Sequence, residues 1–288
     1  MHAYLRSVGF KHSSKQQVEK LVKEGIAAAL ADNRVKYHAD RKKAFLRIPV
    51  SKFFGVSVVC DYVKRDRLKA DYCMPYLVPL FDIKVDSIYV ERHSFQESFG
   101  MMCDDIKEDS TIVCTLENAY DISLDPSIIT ELKSVSVGLS AFCAEGTILL
   151  PIRKLLPDEE MKKRQERREY IKQAKEGNQK AIEYLTLEDF DTLNSIARRV
   201  DTEDIFSIVE TTFIPCGVEC DTYSIVGEIM SFTCVSNEET GETVVNMLVE
   251  CNDVTFNVAV NKEDLTGEPK VGRRFKGRVW LTGRVFLK

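Results

Sequence analysis

Along most of this chain apolar and polar positions alternate in short runs, a two-residue period that predicts strands; only two stretches carry the wider spacing of helices. In the first, Ser13 and Ser14 stand three residues before Gln16 and Gln17, the spacing at which two side chains satisfy each other's free amides at a helix start. Val18, Leu21, Val22, Ala28 and Ala29 then form one apolar stripe, and Asp32-Asn33 ends it. Strands are predicted around Val35 to Ala39 and at Phe45–Val50, Phe53–Val63, Ile83–Val90, Thr111–Leu116, Val135–Ala144 and Thr147–Leu150. Pro75 and Pro79 make Asp71–Leu80 an edge strand or an irregular loop, because proline cannot donate to a ladder. Ser94–Asp109 reads equally as a short helix or a loop.

The second helical stretch runs from Pro157 to Val200. Proline suits a first helical position, Asp158, Glu159 and Glu160 follow in the first turn, and Lys162, Lys163 and Arg164 lie four residues beyond them. Of the 19 residues from Asp158 to Glu176, 13 are charged, so this helix has little apolar surface to bury and reads as a solvated connector or a partner surface. Gly177 predicts its end, followed by a short helix over Asn178–Leu185. Thr186 with Asp189 predicts the start of another, whose Phe190, Leu193, Ile196, Ala197 and Val200 recur at helical spacing.

Strands resume with Ile205–Phe213, Tyr223–Val235, Thr243–Cys251, Val254–Val260 and a run from Arg273 to Leu287. The apolar face of the third is odd-numbered (Val245, Met247, Val249, Cys251), that of the fourth even-numbered (Val254, Phe256, Val258, Val260), with Asn252-Asp253 as the tight turn between them. The fold class expected is α+β in three parts. Residues 1–156 form a mixed antiparallel α/β domain, 157–203 a charged helical connector, and 204–288 a small antiparallel β barrel or sandwich, an oligonucleotide-binding-type (OB-like) barrel being one candidate.

Composition narrows the function classes. With 288 residues, 44% apolar and 30% charged, the chain is a globular one of about two domains. A net charge of -5 argues against a surface built throughout to attract nucleic acid or anionic membrane. The start lacks the pattern of a signal peptide, and nine scattered cysteines in a chain of this length suit reduced thiols, so a cytoplasmic location is expected.

Several phrases occur together: Glu219-Cys220-Asp221, Glu250-Cys251-Asn252-Asp253, Gly267-Glu268-Pro269, Gly272-Arg273-Arg274-Phe275-Lys276-Gly277 and Trp280-Leu281-Thr282-Gly283. With Thr186-Leu187-Glu188-Asp189 and the opening Leu5-Arg6-Ser7-Val8-Gly9-Phe10, the whole chain resembles a family of uncharacterised bacterial proteins from anaerobic Gram-positive species, a domain of unknown function. That resemblance implies no activity, cofactor or site.

The candidate chemistry lies at the C-terminus, where seven cations follow Glu268 with no acid among them. If Arg274–Lys288 is extended, Arg274, Lys276, Arg278, Trp280, Arg284 and Phe286 share one face, and Phe275, Val279, Leu281, Val285 and Leu287 the other. Cations interleaved with aromatics suit a phosphate backbone with stackable bases, so Arg274, Lys276, Arg278, Trp280 and Arg284 are the candidate ligand-binding residues. Against this stand a solvated or self-associating face, and outward residues Thr255, Asn257, Ala259 and Asn261 that offer neither base nor aromatic. Gly272 to Val279 imitates a phosphate loop but has Arg278 and Val279 where lysine and a hydroxyl are needed. Phe142 replaces the last glycine of a nucleophile elbow at Ser140, and Cys216 with Cys220 lacks two further ligands for zinc. No cofactor or metal is expected. The reading is a non-enzymatic binding or assembly protein, with a protein partner or second copy as well as a polyanion in view. Its rival is a hydrolase or transferase whose site is assembled from Glu91, His93, Asp104, Asp105 and Glu117.

Overall fold

The structure is a computed structural model that describes residues 2–38, 42–64, 67–92, 98–103, 111–119, 130–152, 157–200, 210–216 and 221–287. It is mixed α+β, with strand content well above helix content. Contacts divide the chain into two compact units, Met1–Leu149 with Thr211–Lys288, and Leu150–Glu210. The stretches before and after the helices therefore share one unit.

In the larger unit, a short 3-10 turn (Ala3–Val8) leads to helix α1 (Lys15–Ala31). Ser14 caps α1 with the reciprocal Gln17 contact that the spacing predicts, a cap worth about 0.5–2 kcal/mol. Val18, Val22, Ile26 and Ala29 form its buried face, whereas Ala28, placed in the stripe by the sequence, is exposed. Strands β1 (Lys36–Tyr37), β2 (Lys43–Pro49), β3 (Phe54–Lys64) and β4 (Arg67–Leu77) then make a four-stranded antiparallel sheet in that order. As an edge strand, β4 tolerates Pro75. Gly25 lets α1 sit directly on β2: a Cβ there would come within 2.3 Å of Ile48 Cδ1.

The second sheet comprises β5 (Ile83–Arg92), β6 (Phe99–Cys103), β7 (Ile112–Leu116), β8 (Thr130–Leu149), β9 (Thr212–Pro215), β10 (Thr222–Ser236), β11 (Thr243–Cys251), β12 (Val254–Asn261), β13 (Leu265–Thr266) and β14 (Arg274–Phe286). Its strands form a ring. One circuit runs β8, β12, β11, β10, β14 and back to β8; a second runs β8, β5, β6, β7, β14 and back. The strand β6 occupies part of the stretch read as helix or loop, because Phe99, Met101 and Cys103 alternate into the core; the flanking 93–97 and 104–110 lie outside the described residues. The two strands expected between Val135 and Leu150 are one, since β14 pairs with β8 over Ser136–Leu149.

Inside the circuits the odd residues of β11 and the even residues of β12 are buried, as the alternation predicts, and Phe275, Val279, Leu281 and Val285 of β14 join them. Asn252 and Asp253 both take positive φ, which suits the right-handed twist of the hairpin they close. A second core lies outside the ring, where Phe142, Val244, Ala259 and Trp280 meet the N-terminal turn, α1 and the first sheet.

The smaller unit holds α2 (Pro157–Lys175) and α3 (Gln179–Val200), with Gly177 at positive φ between them. α3 is continuous where a break was predicted at Thr186, because the Thr186 hydroxyl donates back to the Ile182 carbonyl (2.8 Å) instead of capping a new helix. Tyr170 stacks on Tyr184 (4.1 Å), and Arg167 bonds Glu188 and Asp189, each at 2.7 Å.

Candidate functional site: the trough between helix α1 and edge strand β4

Because α1 is seated over β2, its flank and β4, an edge strand among the described residues, leave a trough of about 380 Å³ between them. That falls within the range of small-ligand sites, about 300–1,000 Å³. Val18, Val22 and Ile26 form one wall, and Leu68, Ala70, Tyr72 and Cys73 the other. The helix repeat supplies the first set. For the second, a bulge between Ala70 and Tyr72 leaves Asp71 unpaired at the lip.

The rim is charged. Lys15 faces Glu19 one turn on (3.7 Å), Lys23 follows, and Asp71 binds Lys43 at 2.8 Å. Burial pushes the Cys73 thiol and the Tyr72 phenol up, and Cys60 nearby up to about 12, so these groups stay neutral at physiological pH. A neutral, partly apolar floor under a charged rim can hold a ligand and orient it.

The five residues predicted to bind are not presented as one surface. Trp280, only 5% exposed, lies against Phe142 (5.5 Å), Tyr4 (5.7 Å, stacked) and His2 (4.5 Å), and its Nε1 donates to Asp221 Oδ2 at 2.8 Å. Arg274 is buried, Lys276 half-buried and Arg278 exposed. Arg284 donates to Glu117 Oε2 at 3.0 Å. The outward asparagines of β11 and β12 are covered as well. Asn257 accepts from the Leu80 amide (2.8 Å) and donates to Asn246 (3.1 Å), and Asn261 donates to Glu242 (2.6 Å).

Of the residues that the enzyme reading would gather, His93, Asp104 and Asp105 lie outside the described residues, and Glu91 is exposed on β5. Glu117 is 4% exposed and accepts from both Arg47 nitrogens that face it, from Ser57 Oγ (2.9 Å) and from Arg284. A carboxylate so occupied fastens β2 and β3 to β14. Asp221 likewise takes Thr115 Oγ1 (2.8 Å) together with the indole. Among the described residues no three of His, Cys, Asp or Glu group as metal ligands. No described helix is long and apolar enough to cross a membrane.

Sequence reasoning missed the trough. Its signals were present in the α1 stripe and in Leu68 and Ala70, but nothing local states that α1 lies over β2 and meets β4 less closely. Compared with protein families, the chain matches over residues 5–283 a family described as "Domain of unknown function, E. rectale Gene description (DUF3881)". No curated protein and no solved structure matches it.

Proposed function

The chain belongs to the DUF3881 family, a domain of unknown function, and from that premise we propose a non-enzymatic binding protein whose ligand lies in the trough between α1 and β4. The observation that carries this reading is the pairing of an open, apolar-floored trough with buried ionisable groups that are consumed elsewhere in structural contacts. The polyanion reading of the C-terminal strand has less support, since Trp280 is buried and Arg284 is engaged by Glu117.

The scaffold we infer is an OB-like barrel with one strand moved. The meander β10–β11–β12 is closed by β14 and by β8, and β12–β8 is the parallel pair in that circuit. This is the pairing of a five-stranded OB barrel whose last strand comes first in the chain. In OB folds the middle strands of the meander present the oligonucleotide face; their counterparts here, β11 and β12, lie under the N-terminal segment. A cytoplasmic setting is supported by the free thiols Cys60, Cys103, Cys114, Cys143 and Cys251, which fill core positions as small hydrophobes.

A nitrogen-15 NMR screen of small aromatic and amphipathic fragments tests the reading. Hits should shift amides of α1 and β4, and Ala70→Trp, at an exposed position on the trough wall, should abolish those shifts with the fold intact. Hits that map elsewhere, or that ignore Ala70→Trp, sink it.

A further inference from the structure

We propose that the natural occupant of the trough is an extended peptide from a protein partner, with alternating apolar and acidic side chains, that adds to the first sheet as a fifth strand beside β4. The inference rests on the trough being a binding site and names what binds there.

Three observations carry it. First, β4 pairs with β3 alone, so from Arg67 to Met74 one side of its backbone has no ladder partner among the described residues; Pro75, lacking an N–H, ends the run. An extended segment laid along that edge gains main-chain hydrogen bonds, and alternate side chains enter whatever lies on each face.

Second, the face toward α1 is apolar across the strands. Ala44 of β2, Cys60 of β3 and Ala70 of β4 are in register, and Leu68 lies two residues from Ala70. The trough continues that row past the edge, between Ala70 and the Val18, Val22 and Ile26 wall. Apolar side chains of an added strand would enter it.

Third, the opposite face carries a charge row in register. Lys43 of β2 stands beside Asp61 of β3, with an ion pair of 2.8 Å, and Asp61 stands beside Lys69 of β4. The alternation plus, minus, plus stops on Lys69 at the sheet edge, with exposed Arg67 two residues to one side and Asp71, held by Lys43 at 2.8 Å, two residues to the other. Opposite charges on facing strands attract and like charges repel, so the residue beside Lys69 in the next strand is an acid.

The test uses the full chain and a phage library of random linear octapeptides. The expected consensus alternates apolar and acidic residues. The synthetic peptide should bind Ala70→Trp and Lys69→Glu at least tenfold and about threefold more weakly than wild type, the second loss shrinking at high salt. Methylating the peptide's amides one at a time should weaken binding tenfold or more at alternate positions only, because in an added strand every second amide faces β4. If methylation is tolerated everywhere while Ala70→Trp still blocks binding, strand addition is overturned and the trough remains a ligand site. Peptides indifferent to Ala70→Trp overturn both readings. Failure to enrich any peptide overturns strand addition, leaving the trough to be judged by the fragment screen. A free chain that sediments as a dimer, and as a monomer with Ala70→Trp, assigns the edge to a second copy and overturns the peptide.

Discussion

Trp280 Nε1 and Asp221 Oδ2 lie 2.8 Å apart, so the indole that a surface reading of β14 would turn to solvent is tied down beneath the N-terminal turn. Asp221 also accepts from Thr115 Oγ1, and its carbonyl accepts from the Leu281 amide. Removing the carboxylate strands the indole N–H and the Thr115 hydroxyl, and takes the longer bond from the Thr222 hydroxyl (3.4 Å) with them. Asp221→Ala should therefore destabilise the fold by about 1–3 kcal/mol in urea unfolding. Trp280 is the sole tryptophan, so its fluorescence reports directly. Wild-type emission should be blue-shifted and poorly quenched by acrylamide, and single-stranded oligonucleotide at low salt should leave it unchanged. Quenching by the oligonucleotide would restore the polyanion reading.

Glu117 holds two guanidinium groups and a hydroxyl while being nearly sealed from water. Glu117→Ala should cost about 3 kcal/mol, at the lower end for breaking a buried charge pair. The lower end applies because Arg47 and Arg284 are 27% and 22% exposed and regain some hydration. Glu117→Gln, which keeps the shape and some acceptor capacity, should lose less. Chemical denaturation of the three proteins decides the order.

His2 gives stability a pH dependence. Burial lowers its pKa from 6.5 to about 4, against the opposing pull of Asp221. Between those values the unfolded chain binds a proton that the folded chain refuses, so this residue's effect is to reduce stability as pH falls from about 6.5 to about 4. His2→Phe keeps a ring against Trp280 and removes the proton. Its unfolding midpoint should fall less than that of wild type across this window, in urea titrations at half-unit pH steps. Equal slopes would refute the assignment.

The thiols should separate by reactivity. Cys234 is exposed, whereas burial pushes Cys60, Cys143 and Cys251 up to about 12, leaving almost no thiolate at neutral pH. Cys114 is raised by a hydrogen bond with Cys103 as well as by burial. Iodoacetamide at neutral pH, followed by peptide mass spectrometry, should label Cys234 well before these four, which should react only with denaturant present.

Much of the fold was legible because its signals are local. The Ser14–Gln17 cap, the opposite parities of the β11 and β12 faces and the Asn252-Asp253 turn each depend on residues within a few positions of one another. The break predicted at Thr186 failed for a reason of the same scale: a hydroxyl can return its hydrogen bond to the preceding turn as readily as cap a new one.

The candidate site was less legible. Alternation correctly placed Phe275, Val279, Leu281 and Val285 together on an inward face of β14, and the side chains between them on the other. It could not say that the other face meets a second layer there, because a Trp280 facing water and one facing Tyr4 and Phe142 leave the same two-residue pattern.

What the amino-acid order determined by itself was which residues of each strand or helix share a side, since that follows from backbone geometry over a few bonds. What only the tertiary structure decided was who faces whom. β8 joins β12 and β14 across more than a hundred residues, the N-terminal turn covers Trp280, and α1 sits on β2 with a trough between it and β4. Those choices depend on contacts between segments remote in sequence, where shape and burial over whole surfaces select the partner and no short pattern records it.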